Sequence, residues 1–509
     1  MCGLPLVGQD VFPHPELEWK TIETEHFLVH FHVGAERTAQ EVARVAEEVY
    51  GPITELYGHK PDQRVSIVIK DYDDYSNGAA YFYDNKIEIL APSLDFELRG
   101  VHPWIENVVM HEFTHIVQIQ TAMKLGRGVP AVYFQWLGYE SERRPDVLSG
   151  YPNVIVSYPL SAFVVPAWFA EGVAQYNHPG VHFDTYDTHR AMILRTALLD
   201  GNVLSWEEMA VFGKTSLGNE QSYNAGYAFV TYIAEKYGTE KLQEISRKLG
   251  SFHRLTISGA IEAVLGKTGE EVYEEWKALM LEQSQNTLRS IGVPVQGHIV
   301  EEEGFGNFYP AFTPDGEKLV YVSTKSKDYF ALSSVYQYNV ETKEKTLLVS
   351  GVRSTLSFSP DGRFLFYSKS SSDNPYWSKQ FDVYRYDLQE EEETRLSYGW
   401  RAMNPRLSRD GSKLAFVVHH DGTTNLAVAD ADGKNYRKLT SFAGGEQVYM
   451  PAWSPDGSTI AFGYSTGHSQ TIATISADGT DVQVFQSRGD SRNPAYSADG
   501  KFLYYASDA

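Results

Sequence analysis

The sequence predicts two unlike domains in tandem, an α+β domain over residues 1–295 and an all-β propeller over residues 296–509. Three observations carry that prediction. A chain of 509 residues is longer than one ordinary hydrophobic core supports. Its first half alternates strand-like and helix-like hydrophobic periods. Its second half repeats one phrase five times.

Composition narrows the partners. Asp plus Glu outnumber Lys plus Arg by 66 to 44, a formal charge of −22, which argues against a nucleic-acid backbone or an anionic membrane surface as partner. Cys2 is the only cysteine, so no disulfide staples the fold within one chain. The opening "MCGLPLVGQD" resembles the start of a mature bacterial lipoprotein once its leader is removed. This implies a lipid anchor at Cys2 and residence in the bacterial cell envelope, periplasmic or extracellular. No stretch reads as a membrane-spanning helix; the run over 154–170 contains Pro159 and Pro166 and reads as buried core.

Along the first half, "TIETEHFLVHFH" (21–32) alternates like a strand and "ERTAQEVARVAEEVYGPITELYG" (36–58) has helical periodicity. "VSIVIKD" (65–71) and "NKIEILAP" (85–92) again read as strands, and the pattern is mostly helical from Trp104 onward. Helices are expected over about 103–121 and about 167–177. Residues 123–154 read as an insertion near the cleft, and "HRAMILRTALLDG" (189–201) as a bridge between the two regions, with His189 and Arg190 either supporting the site or contacting substrate or, the preferred reading, on a solvated helix face. The run over 269–292 closes the domain, ended by Gly292 and Pro294, with the linker near 292–300.

"VVMHEFTHIVQIQ" (108–120) carries the chemistry. Helical positions four apart share a face, so His111 and His115 can aim imidazole nitrogens at one point about 2 Å from each, the Zn–N distance. Glu112, one residue on, projects beside such an ion, where it can take a proton from a metal-activated water.

"HEFTHIVQ" followed by "PAWFAEGVAQY" (166–176) resembles the gluzincin-type zinc metallopeptidases of the peptidase MA clan. The resemblance implies a zincin-like fold for the first domain, one Zn2+ ion, and Glu171 as third ligand beside His111 and His115. It also implies Gly172 for close helix packing and Trp168 with Phe169 as shielding. Some relatives place an aspartate four residues after the ligating glutamate to hold a zinc-bound histidine; here Gln175 stands there, able to accept an N–H but bringing no charge. "SYNAGYAFVTYIAEKYG" (222–238) resembles the segment whose tyrosine hydroxyl stabilises the oxyanion, which names Tyr223 beside Glu112 as catalytic. "NGAAYFYDNKIEILAP" (77–92) stands where the clan has an edge strand, so Gly78, Ala79, Ala80 and Tyr81 are the candidate substrate-binding residues.

In the second half the Asp-Gly pairs beginning at Asp315, Asp361, Asp410, Asp456 and Asp499 recur every 43 to 49 residues. Each precedes a β-branched and aromatic strand such as "KLVYV". A second hairpin fills each interval, so a period holds about four strands, the content of one propeller blade. The repeats resemble TolB-type, WD-repeat-like propellers, with four to five blades visible. The fifth copy stops before its outer hairpin, and the chain is expected to be a fragment of a longer protein.

The expected function is zinc-dependent hydrolysis of a peptide or protein substrate, endopeptidase preferred because the exopeptidase anchor phrase is absent. The propeller would govern access or dock a protein partner. The alternative is a catalytically silent scaffold whose propeller binds a protein or envelope component. A non-peptidase hydrolase using the same zinc chemistry is a third reading.

Overall fold

The computed structural model describes residues 14–94, 97–129, 133–138, 154–159, 165–176, 183–291, 297–486 and 488–508. Cys2, Gly292 and Pro294, with the expected boundary at 295/296, lie outside them. Among the described residues no helix is long and apolar enough to cross a membrane.

Where the sequence reads one strand over 21–32, the structure has a hairpin of β1 (Trp19–Glu23) and β2 (Phe27–His32). The break is local: Thr24 Oγ1 accepts the Phe27 N–H, and the His26 N–H turns aside to Glu47. Helix α1 (Glu36–Tyr57) buries Ala39, Val42, Val45, Ala46, Val49 and Ile53, the three-and-four spacing of one apolar face, against β2 and α2. β3 (Val65–Lys70), β4 (Gly78–Tyr81) and β5 (Lys86–Leu90) complete a sheet of order β1-β2-β3-β5-β4. The β2–β3 and β3–β5 pairs are parallel, and β4 runs antiparallel to β5. The segment 77–92 is thus a hairpin in which only β4 lies at the edge.

Helix α2 (Trp104–Ala122) is buried on nearly all sides, between the sheet with α1 and the later helices. β6 (Tyr133–Gly138) and β7 (Val154–Pro159) pair antiparallel at the two ends of the expected insertion. Then follow α3 (Ala167–Gln175), α4 (Thr188–Leu199), α5 (Ser216–Tyr237), α6 (Glu240–Leu249), α7 (Ile257–Leu265) and α8 (Gly269–Ile291). Helices α3 and α5 meet backbone to backbone. A Cβ on Gly172 would lie 2.4 Å from the Gly226 carbonyl oxygen, and one on Gly226 would lie 2.4 Å from that of Trp168. One apolar core, including Phe27, Phe113, Trp168, Phe229 and Trp276, unites sheet and helices.

The second half forms four four-stranded antiparallel sheets, within 307–350, 357–395, 402–438 and 447–484, and a two-stranded sheet within 491–507. Apolar clusters fill the spaces between successive four-stranded blades. The five repeated turns share one chemistry. A hydroxyl two residues before the aspartate (Thr313, Ser359, Ser408, Ser454, Ser497) donates to its carboxylate at 2.5–2.7 Å. The same hydroxyl oxygen accepts the N–H of the residue that opens the next strand or, for Phe502, immediately precedes it. Only the glycine of each pair is left-handed, with φ of 71° to 76°.

The propeller grips several segments of the first domain. Arg401 reaches into the loop after β3, donating to Asp74 at 2.6 Å and Asp71 at 2.9 Å. Helix α1 has no side-chain cap of its own at Ala35; Asp421 of the third blade supplies one, its carboxylate accepting the Arg37 and Thr38 N–H groups at 2.8 and 3.0 Å. A further gripped segment, 97–102, leads into α2: Glu97 is bound by Arg353, and the Val101 N–H donates to Asp490.

Candidate metal centre

Helix α2 sets His111 and His115 on one face, and α3 brings Glu171 to them across a spacer of more than fifty residues. His111 Nε2 lies 3.0 Å from Glu171 Oε2, His115 Nε2 lies 3.3 Å from the same oxygen, and the two imidazole nitrogens are 3.1 Å apart. Corners of a tetrahedron about 2.05 Å from its centre are roughly 3.3 Å apart, so this triangle fits an ion with Zn–N and Zn–O distances. Two nitrogens and one carboxylate oxygen are also a zinc donor set. This is the one cluster of three potential ligands among the described residues. The three side chains are 13, 11 and 6% exposed, so water is largely excluded.

Glu112 is buried beside the cluster. Burial raises its carboxyl pKa above the ordinary range, with His111 and His115 pulling it back. Glu171 is driven the other way: burial opposes its charge, but His115 and His111 hold it well below the usual value. Burial likewise works against a charged His111, yet the hydrogen bond to Glu171 raises its pKa.

The structure places Gly78, Ala79, Ala80 and Tyr81 along β4, half buried at the sheet edge and packed on α2. A Cβ on Gly78 would lie 2.5 Å from Glu112 Oε1 and 2.6 Å from Val108 Cγ2. The glycine therefore brings the strand backbone against the buried carboxylate. Tyr223, on α5, has its ring centroid 6.2 Å from that of His111. Burial, then the Glu171 charge, holds its hydroxyl pKa well above the ordinary phenol value.

Two expected supporting residues have other surroundings. Trp168 is fully buried against Phe169, Trp206 and Phe229, in the aromatic core behind α3. Gln175 is also fully buried, and among the described residues neither its amide atoms nor His115 Nδ1 has a hydrogen-bond partner. Arg190 corrects the sequence reading outright: it is fully buried, bound to Asp184 at 3.0 Å and Asp187 at 3.1 Å, because the loop before α4 folds two carboxylates over it.

Sequence reasoning missed Arg99. Its guanidinium makes two parallel hydrogen bonds to Glu220, at 2.8 and 3.0 Å, and lies 5.1 Å from the Tyr223 ring centroid. Burial opposes its charge, but Glu220 holds its pKa above the usual guanidinium value. The one available signal was Glu220 itself, three residues before Tyr223 and so on the same helical face.

A family model described as the TolB beta propeller domain matches residues 276–500. The match begins inside α8, ahead of the first blade strand at Asn307. The chain is similar to "Uncharacterized peptidase YuxL" of Bacillus subtilis (strain 168), with 32% identity over 117 residues, 23% of this chain and 18% of that protein. It is also similar to "Tol-Pal system protein TolB" of Francisella tularensis subsp. mediasiatica (strain FSC147), with 26% identity over 205 residues, 39% of this chain and 45% of that one. The chain spans less than half the length of these two relatives. Among solved structures, putative TolB from Agrobacterium tumefaciens aligns with 40% of this chain and 77% of its own at 22% identity, with a TM-score of 0.34.

Proposed function

We propose that this chain, whose second half is a TolB-type β-propeller domain, is a zinc-dependent peptidase that hydrolyses internal bonds of peptide or protein substrates. The observation that carries the reading is the convergence of His111, His115 and Glu171 within 3.0–3.3 Å, with the buried Glu112 alongside. When bound by these three residues, one Zn2+ ion supplies Lewis acidity toward a carbonyl and a water.

The chain's own residues do the rest. Glu112, its pKa raised by burial, accepts the proton of the attacking water and passes it to the leaving amine. Tyr223 keeps its proton and donates a hydrogen bond to the developing oxyanion. The outer edge of β4 has no strand partner among the described residues, so an extended substrate can pair with Gly78–Tyr81 by main-chain hydrogen bonds. Gly78 lets that backbone approach Glu112 closely.

The propeller docks a protein partner or restricts access to the site. Its likeness to proteins named for the Tol-Pal system supports an envelope location, periplasmic or extracellular, with Cys2 the candidate lipid anchor. That same likeness favours the second reading, a silent scaffold in which docking is the whole function. The two readings part at Glu112. Metal analysis with a peptide-library cleavage assay should find one zinc per chain and cleavage by the wild type. Glu112→Gln should retain zinc while cleavage falls at least ~1000-fold, and His111→Ala should lose both. Cleavage undiminished in Glu112→Gln refutes the peptidase assignment; bound zinc without cleavage in the wild type selects the scaffold.

A further inference from the structure

The pose of Tyr223 depends on what lies against its ring. Its hydroxyl makes no hydrogen bond to a described residue. The ring instead contacts Phe212 at 5.6 Å and His111 at 6.2 Å between centroids, and the Arg99 guanidinium at 5.1 Å. Arg99 is in turn tied to α5 one turn earlier through its paired bonds to Glu220. A planar fork held by a carboxylate is a stiff support, because both hydrogen bonds must break for the plane to tilt.

The backbone that carries Arg99 is held by the propeller on both sides. Arg353, between the first two blades, binds Glu97 through Nη2 at 2.7 Å and Nε at 3.1 Å, and the Tyr309 hydroxyl of the first blade donates to the same carboxylate at 3.1 Å. From the fifth blade, Arg492 donates to the Arg99 carbonyl oxygen at 3.2 Å, and Asp490 accepts the Val101 N–H at 3.2 Å. Within the first domain His102 bonds Asp187 at 2.9 Å, and a Cβ on Gly100 would stand 3.0 Å from the Asp187 Cβ. Residues 97–102 therefore have little slack between the blades and α5.

We infer that this segment is the link by which the propeller sets the pose of Tyr223, with Arg99 a positioning residue that acts through the tyrosine. The consequence for turnover rests on the peptidase reading; the mechanical link does not. Misplacing a catalytic group by about 1 Å can cost on the order of 100-fold in rate.

The test uses the full chain labelled with 3-fluorotyrosine, the Tyr223 fluorine resonance being assigned by its loss in Tyr223→Phe. Expected is a shift or broadening of that resonance in Arg99→Ala and in Arg353→Ala, and its return in the charge-swapped pair Glu97→Arg with Arg353→Glu. An unmoved resonance in Arg353→Ala overturns the link. In kinetics, Arg99→Ala should lower kcat about 10-fold or more with KM within about 2-fold, and Arg99→Ala with Tyr223→Phe should be no slower than Tyr223→Phe alone. Independent, multiplying losses overturn action through the tyrosine. Should Arg99→Ala fail to fold, Arg99→Lys and Arg353→Ala carry both measurements. If Glu112→Gln keeps full turnover the peptidase reading fails, while the fluorine measurement still decides the link.

Discussion

At the scale of single residues, Gly78 and Gly172 do different work with the same missing atom. Gly78→Ala puts a methyl where Glu112 Oε1 now lies, so the carboxylate must swing away. We expect kcat/KM to fall about 10- to 100-fold with zinc content unchanged, measured by peptide cleavage and metal analysis on one preparation. Gly172→Ala instead drives α3 off the Gly226 carbonyl. Alanine's better helix propensity returns about 1 kcal/mol, less than the overpacking cost of up to ~3 kcal/mol or more, so the urea midpoint should fall. Such positions differ in how they can be read from sequence. His111, Glu112 and His115 sit within one and a half helical turns, so their shared face follows from local spacing, whereas Glu171 was named by a phrase that resembles a family's and not by spacing. Arg99 and Glu220 are 121 positions apart, and nothing local in either stretch announces the other. Arg190 misled for a different reason: Asp184 and Asp187 are only six and three positions away, but they bury it as ion-pair partners only once the loop before α4 has closed.

At the scale of elements, the repeated turns were legible because each needs the same atoms: a hydroxyl, a carboxylate and a left-handed glycine. Hydrogen bonds from the Ser454 hydroxyl, then from the Ser458 backbone and hydroxyl, lower the Asp456 pKa from 3.8 to about 2. A carboxylate depressed on folding stabilises above its unfolded pKa, and that stability drains away as pH falls through the folded value. Wild type should therefore exceed Asp456→Asn in urea midpoint at pH 5, and the gap should close between pH 3.8 and about 2. Hairpins were less legible than turns. The 21–32 and 77–92 stretches keep their alternation through a reversal set by single contacts, such as that between His26 and Glu47, which periodicity does not register. Helix α1 shows the same limit at its start, for its cap arrives from another domain. Asp421→Ala should cost about 1–2 kcal/mol, read as a lower urea midpoint of the first domain.

At the scale of the whole molecule, the two domains share a buried ionic seam. Burial opposes the Arg401 charge, but Asp74 and then Asp71 hold its guanidinium pKa above the ordinary value. Arg401→Ala removes the guanidinium from both aspartates and leaves each with a backbone N–H donor, Asp421 for Asp71 and Phe381 for Asp74, so the cost should fall below the roughly 3–5 kcal/mol of a fully uncompensated buried charge. Calorimetry should then resolve two unfolding transitions where the wild type shows greater overlap. The blades of the second half and the alternation of strand and helix in the first were readable from the sequence, but the docking of the two halves was not, because contacts such as those of Arg401 with Asp71 and Asp74 join residues more than three hundred positions apart. The cap on α1 has a consequence in time. Asp421 follows Arg37 by 384 positions, so a ribosome adding about 5–20 residues per second needs on the order of 20–80 s between making the helix and delivering its cap. Through that interval the first turn of the helix lacks the carboxylate that caps it, which arrives only with the third blade.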